Sequence, residues 1–382
     1  MDERTRLIRD VTRRPERRRV VNPPIERGTT VLLPHASEIH RPSDEPVYGI
    51  QGLAAQRALE SGLRELENAR HAGVYATGLL AVSAAMLAFL KPGDRLLMTD
   101  AVYGPARKLA ETRLRALGVE TAYFPPRASA EEVGALIDAR TRLVWLESPG
   151  SMTFELQDAP GIAAAARARG TLTLIDNTWS AGTLFKALDH GIDLSLQALS
   201  KYVGGHSDVF GGSITTNDPA LHQALMDVIE DYGFYVSPDD AWLLARGLRT
   251  IHARLPVHAA HGLKVAAWLE RHPKVLRVLH PALPSHPDHA LWRRDFTGAC
   301  GLFGVVLAPG SAEAADAFLD RLELFGKGAS WGGFESLAIR AHKGVLQGRD
   351  TGLPDGPLLR FHVGLESPED LIADLARALA GY

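Results

Sequence analysis

The chain has 382 residues, 46% of them hydrophobic and 23% charged, with a formal net charge of −3. That length exceeds one simple core and suggests two domains plus an arm, while the near-neutral balance gives no bulk field to favour nucleic acid or an anionic membrane. The only cysteine, Cys300, excludes an intramolecular disulfide or a cysteine-based zinc site and fits a reducing, cytoplasmic compartment.

Residues 1–52 begin arginine-rich (Arg4, Arg6, Arg9, Arg13, Arg14, Arg17, Arg18, Arg19) and are punctuated by Pro23, Pro24, Pro34, Pro42 and Pro46. Acidic residues interleave the arginines, unlike a transit peptide. With little periodicity, the segment reads as an arm, solvated or laid across a neighbouring subunit. Leu53–Arg70 then predicts an amphipathic helix, with Leu59, Leu63 and Leu66 at helical spacing. Ala72–Ala76 predicts a short strand. Thr77-Gly78 opens a helix over Leu79–Leu90, stopped by Lys91-Pro92-Gly93. This apolar stretch falls short of the roughly 18 residues of a membrane span. Strands over Arg95–Thr99, Val119–Phe124, Leu143–Leu146 and Leu172–Ile175 alternate with helices over Gly104–Leu117, Ala130–Ala139 and Pro160–Arg169. The alternation implies an α/β domain, residues 53–247, with a mostly parallel sheet and helices on both faces. Ligands of such sheets bind beyond the C-terminal strand ends. After residue 247 come a helix over Ala259–Glu270, the rigid connector His280–Pro287, strands at Leu302–Leu307 and Leu359–Val363, and helices at Ala312–Leu322 and Pro368–Ala380. They suggest a smaller α+β domain, residues 248–382.

Two residues carry the chemical signal. Asp176 closes the apolar run Leu172-Thr-Leu-Ile, and Lys201 follows inside Ser-Leu-Gln-Ala-Leu-Ser-Lys-Tyr-Val-Gly-Gly-His-Ser-Asp, residues 195–208. Most lysines are solvated, and Asp-Asn often ends a strand as a turn. Desolvated among these apolar neighbours, however, Lys201 has a lowered pKa and is nucleophilic. A nucleophilic lysine and a strand-end carboxylate are what a pyridoxal-phosphate enzyme requires, one to bind the cofactor covalently and the other to hold its ring nitrogen protonated. Gly78 and Leu79 at a helix start offer free amides and a positive dipole end, which suits a phosphate but is a common arrangement. Tyr103, after a strand, is either a core aromatic or a ring stacked on a cofactor. His206-Ser207-Asp208 are consecutive, so structural hydrogen bonding is expected there rather than a triad. No Walker A and no Gly-x-Gly-x-x-Gly occurs, and no metal site is indicated.

The chain resembles the Cys/Met-metabolism family of pyridoxal-phosphate enzymes. The likeness runs through Val47-Tyr-Gly, Leu146-Glu-Ser-Pro-Gly-Ser, Leu174-Ile-Asp-Asn-Thr-Trp, Leu184-Phe-Lys-Ala-Leu-Asp, Ser200-Lys-Tyr-Val-Gly-Gly-His-Ser-Asp and Arg246-Gly-Leu-Arg-Thr. It continues through His280-Pro-Ala-Leu-Pro, Arg294-Asp-Phe-Thr-Gly, Ser330-Trp-Gly-Gly-Phe-Glu-Ser and Arg360-Phe-His-Val-Gly-Leu-Glu. Glu-Ser-Pro-Gly-Ser and Ser-Trp-Gly-Gly are similar to the bacterial cystathionine β-lyase branch.

The resemblance implies the aspartate-aminotransferase fold, type I, and the cofactor pyridoxal 5′-phosphate. It makes Lys201 the cofactor-linked and proton-moving lysine, Asp176 the pyridine-nitrogen partner and Tyr103 the stacking ring. Gly78, Leu79 and Ser200 would hold the phosphate, joined by Tyr48 from a neighbouring subunit in a homotetramer of site-sharing dimers. Arg360 would clamp the substrate α-carboxylate, with Ser330 and Trp331 lining that pocket. The implied reaction is α,β-elimination of L-cystathionine to L-homocysteine, pyruvate and ammonia. One departure stands out. Ile50 and Gln51 follow Tyr48-Gly49, where the family has arginine, so a cross-subunit phosphate ligand and a partner for a distal substrate carboxylate are missing. A broader cysteine-S-conjugate β-lyase or cysteine desulfhydrase stays open for that reason. So does a non-catalytic binding protein of the same fold, against which Lys201, Asp176, Tyr103 and Arg360 stand.

Overall fold

The computed structural model describes residues 2–10, 20–40, 45–342, 346, 349 and 351–382. Arg13, Arg14, Arg17, Arg18, Arg19 and Pro42 of the arm lie outside the described residues. The chain starts with a helix, α1 (Glu3–Asp10), packed on α2 (Ala54–Glu67) of the same chain. Leu7 is buried there, Arg6 pairs with Glu65, and Lys186 Nζ donates to Glu3 at 3.1 Å. The sequence shows no helix at this place because α1 has 8 residues, too few to display a period.

The large sheet is built from β1 (His71–Tyr75), β2 (Arg95–Thr99), β3 (Glu120–Phe124), β4 (Thr141–Glu147), β5 (Leu172–Asp176), β6 (Leu194–Gln197) and β7 (Gly212–Thr216). Its order is β1-β7-β6-β5-β4-β2-β3. Only β7 runs against its neighbours; every other adjacent pair is parallel. Between strands the chain crosses over through α3 (Gly78–Phe89), α4 (Gly104–Leu109), α5 (Ala130–Leu136) and α6 (Ala159–Arg167), and it continues after β7 into α7 (Pro219–Tyr232) and α8 (Pro238–Leu248). Successive strand side chains face opposite ways. Thus Leu96, Met98, Trp145, Leu174 and Ile214 form one core with α3 and α7. Leu97, Val144, Leu146 and Ile175 form the other with α2, α6 and α8. Both faces are covered, as a mainly parallel sheet requires.

A long helix, α9 (Ile251–Glu270), joins this layer to a second sheet. That sheet comprises β8 (Val275–Leu279), β9 (Leu302–Leu307), β10 (Leu337–Arg340) and β11 (Leu358–His362), in the order β10-β11-β9-β8 and wholly antiparallel. Helices α10 (His289–Asp295), α11 (Ala312–Asp320) and α12 (Pro368–Ala380) complete it. Among the described residues no helix is long and apolar enough to cross a membrane.

Some elements depart from their sequence expectation for identifiable reasons. The helix expected over Gly104–Leu117 is α-helical only to Leu109 and then widens into a π-type turn over Ala110–Leu114. Helix α9 starts at Ile251 rather than Ala259 and contains Pro256, whose missing N–H reads as a stop. β7 is buried throughout, yet its sequence, Gly-Ser-Ile-Thr-Thr between glycines and Asn217-Asp218, reads as a loop.

Candidate active site

A cavity of about 520 Å³ opens at the C-terminal ends of β4, β5 and β6, against the 329–331 segment and Arg360 of the second sheet. Three kinds of group meet in it.

At one pole lies the start of α3. Thr77 is its N-cap, and its hydroxyl accepts from Leu80 N at 3.0 Å. The amides of Gly78 and Leu79 precede the first intrahelical bond, so they keep their hydrogens for an acceptor in the cavity. Gly78 is required by close approach: a Cβ there would lie 2.7 Å from Ala198 Cβ. Ser200 sits opposite, with Oγ accepting from Gly211 N at 3.0 Å. Two free amides, a helix dipole and a hydroxyl suit a phosphate.

The middle of the cavity belongs to two carboxyls in register on adjacent strands, Glu147 on β4 and Asp176 on β5. Asp176 Oδ1 accepts from Thr178 N at 3.1 Å and Thr178 Oγ1 at 2.5 Å. The same hydroxyl accepts from Ala198 N at 2.9 Å, so Thr178 ties the acid to the loop that carries Lys201. Burial pushes the Asp176 carboxyl up, opposed by Thr178 and by the Lys201 cation. Burial, with the Asp176 charge beside it, pushes Glu147 well above the carboxylate range. Glu147 Oε2 accepts from Tyr103 N at 2.6 Å, fixing the N-cap residue of α4. The Tyr103 ring lines the cavity and stays half-exposed.

Lys201 and Arg360 form the third group. Lys201 Nζ donates to Ser330 Oγ at 2.7 Å and lies 5.3 Å from the Trp331 ring centroid. Burial, reinforced by the Arg360 cation and opposed by Asp176, lowers its amine to about 8. Arg360 reaches over the same turn. Its Nη2 donates to Ala329 O and, at 3.2 Å, to Ser330 O. Burial lowers the guanidinium to about 10, still a cation at neutral pH.

Lys201, Asp176, Tyr103, Gly78, Leu79, Ser200, Ser330, Trp331 and Arg360 thus share one cavity. Tyr48 does not line it; that residue is half-exposed and bridges Thr30. Gln51 is tied within its own chain, accepting from Val47 N at 2.9 Å and donating to Glu230 at 3.3 Å. His206 and Ser207 bond to structural partners, Gly204 O at 2.8 Å and Glu335 at 2.5 Å. Glu147 and Thr178 belong to the site and lacked a role in the sequence reading. The strand-end rule that singles out Asp176 applies equally to Glu147. The donor set fits pyridoxal phosphate: free amides for a dianion, Asp176 Oδ2 outside the bonds made by Oδ1 for a ring nitrogen, and a lysine of lowered pKa for an aldehyde.

Known proteins bear on this geometry. The sequence model for "Cys/Met metabolism PLP-dependent enzyme" matches residues 4–380. Cystathionine beta-lyase MetC of Escherichia coli is 41% identical, covering 94% of this chain and 93% of its own. An L-alanine/L-glutamate racemase of Wolbachia pipientis is 36% identical, covering 94% of this chain and 92% of its own. The crystal structure of metB from Corynebacterium glutamicum superimposes with a TM-score of 0.93 at 30% identity, covering 100% of this chain and 98% of that one.

Proposed function

The chain belongs to the Cys/Met metabolism PLP-dependent enzymes, and from that premise we propose that it catalyses the α,β-elimination of L-cystathionine to L-homocysteine, pyruvate and ammonia. It is an enzyme, and its cofactor is pyridoxal 5′-phosphate. One observation carries the reading. Lys201 Nζ and Arg360 Nη2 converge on Ser330, the first at its hydroxyl and the second at its carbonyl. An amino acid whose α-carboxylate takes the Arg360 fork therefore brings its α-carbon next to the Lys201 amine.

When bound, the cofactor draws the electrons freed at the α-carbon into its ring. Gly78, Leu79 and Ser200 would hold its phosphate, Tyr103 would cover its ring, and Asp176 would serve as the partner of the ring nitrogen. Lys201 takes the proton from Cα. The Cβ–S bond then breaks, and the departing homocysteine sulfur takes a proton that Lys201 supplies. Water converts the three-carbon remainder to pyruvate and ammonia. Proton removal at Cα also begins racemisation, the activity named for the Wolbachia relative; a thioether at Cβ diverts it to elimination. The activity named for the 41% identical Escherichia coli relative, cystathionine beta-lyase, supports cystathionine as the substrate. A broader cysteine-S-conjugate β-lyase or desulfhydrase is favoured by the apolar share of the cavity lining, which includes Val82, Met152, Phe154, Trp179 and Phe210.

The division into an arm (1–52), a cofactor domain (53–247) and a C-terminal domain (248–382) is supported by the two separate sheets. A homotetramer of site-sharing dimers is supported by Tyr48, half-exposed and not among the residues lining its own cavity. Cytoplasmic residence and a role in methionine biosynthesis agree with one buried free cysteine and with the Escherichia coli relative. The test is product analysis with purified holoenzyme. L-Cystathionine should give pyruvate and homocysteine. Formation of α-ketobutyrate and cysteine, or interconversion of alanine enantiomers without pyruvate from any thioether, overturns the reading.

A further inference from the structure

The turn that carries Ser330 and Trp331 is held from below by one strand. On β11, Arg360 and His362 are two residues apart and point to the same face, while Phe361 between them is buried in the core of the second sheet. Arg360 binds the beginning of the turn through Ala329 O and Ser330 O. His362 meets its end. Gly332 N donates to His362 Nε2 at 3.1 Å, and Gly333 O lies 3.0 Å from the same atom. Burial lowers the imidazole to about 3, so the ring is neutral, and the Nε2 lone pair takes the fixed Gly332 N–H while Gly333 O stands beside it as a contact.

Gly332 has φ +91, and a Cβ there would lie 2.8 Å from Lys201 C and Tyr202 N. The turn is therefore pressed on the backbone of the lysine itself. Under it lie three rings: Tyr202 meets Trp331 edge-on at 5.5 Å, His362 at 5.9 Å and His258 at 5.2 Å. His362 is 1% exposed, and its Nδ1 meets no protein partner among the described residues.

We infer that His362 is a positioning residue for the amino-acid carboxylate site, holding the Ser330–Gly333 turn in the shape that Arg360 and Lys201 share. This rests on the reading of the cavity as an amino-acid site and is independent of whether elimination or racemisation follows. His362 touches neither cofactor nor substrate; it acts through the Gly332 amide. Losing it leaves the lysine and the phosphate cradle in place but lets the turn drift, and with it the Arg360 fork.

The experiment uses holoenzyme with His362→Phe, which keeps a ring and removes the acceptor, and His362→Gln, whose side-chain carbonyl restores an acceptor. L-Alanine, which has no leaving group at Cβ, is titrated against the visible cofactor band. The expected result for the Phe variant is a dissociation constant about tenfold higher, with pyridoxal-phosphate affinity unchanged. The Gln variant should return to within about threefold of wild type. Should the Phe variant not fold, His362→Asn, whose carbonyl stops short of the Nε2 position, is expected to show the same weakening. Unchanged L-alanine affinity, or weakening matched by an equal loss of cofactor affinity, overturns the inference. A wild-type protein whose cofactor band responds to no amino acid overturns the amino-acid-site reading instead.

Discussion

Lys201 Nζ donates to Ser330 Oγ across 2.7 Å, joining the loop after β6 to the turn before β10. That bond favours the ammonium, whereas burial and Arg360 favour the amine and bring it to about 8. Only the neutral amine attacks an aldehyde. Recombination of cofactor-free protein with pyridoxal phosphate should therefore quicken about tenfold per pH unit below 8 and level off above it. Ser330→Ala removes a partner of the charged form, so its midpoint moves to lower pH. Stopped-flow absorbance at stepped pH reads both. A midpoint that stays fixed in the variant would show that Ser330 does not sense the lysine charge.

Asp176 and Thr178 act as a pair. The Thr178 hydroxyl donates to Asp176 Oδ1 and accepts from Ala198 N, so it sets the acid and the lysine loop together. Asp176→Asn keeps the shape and removes the charge that matches a protonated ring nitrogen. Turnover of L-cystathionine should fall on the order of a hundredfold or more, with L-alanine binding largely kept. Thr178→Val removes both hydroxyl bonds, the one to Asp176 and the one from Ala198 N, but leaves the Asp176 charge, and should cost about tenfold. Steady-state kinetics of both variants, with cofactor content measured alongside, checks the ranking. Equal losses would mean that the charge of Asp176 is not what matters.

Lys201 and Asp176 are legible in the sequence because each is an ionisable residue set in an apolar run, where burial is costly unless it has a use; Arg360 is reached only through the family resemblance. The parallel sheet is legible for a related reason: β2, β4 and β5 are continuous apolar stretches between amphipathic helices. Glu147 is equally ionisable and equally placed at a strand end, but its partner, the Tyr103 amide, lies 44 residues away and leaves no local trace. His362 is harder still. Its role depends on pairing β11 with a turn 30 residues earlier, and nothing near it in the chain announces that contact. β7 escapes because its burial comes from being hemmed between β1 and β6, not from its own side chains.

His280 offers a test of buried-histidine linkage away from the cavity. It is fully buried, accepts from Ala282 N at 3.2 Å through Nδ1, and burial lowers it from an ordinary 6.5 to about 4. Between those values the unfolded chain binds the proton and the folded protein does not. The contribution to stability is therefore complete above pH 6.5 and is lost as pH falls toward 4. His280→Asn keeps the Nδ1-like acceptor but cannot titrate. Relative to this variant, wild type should lose about 3 kcal/mol of stability over that window, at about 1.4 kcal/mol per pH unit. Parallel urea unfolding at several pH values gives the difference directly. Parallel pH profiles for the two proteins would contradict it.

Gly78 sets the position of the phosphate pole by letting α3 approach the strand-end loop. A Cβ at 78 would lie 2.7 Å from Ala198 Cβ and 3.0 Å from Ala198 Cα. Gly78→Ala must therefore push the helix start away, and the free amides of Gly78 and Leu79 move with it. Three residues after Ala198 stands Lys201, so a shift also misaligns the amine with the cofactor. Affinity for pyridoxal phosphate should fall about tenfold or more, the worth of one hydrogen bond to a charged group. Ala198→Gly removes the nearer of the two clashes but not the one with Cα. In the double variant the affinity should recover partly, because the two sites are in contact and their effects are not additive. Equilibrium dialysis of cofactor from the four proteins of this cycle measures the coupling. Additive losses would place the origin of the Gly78 requirement elsewhere than at Ala198.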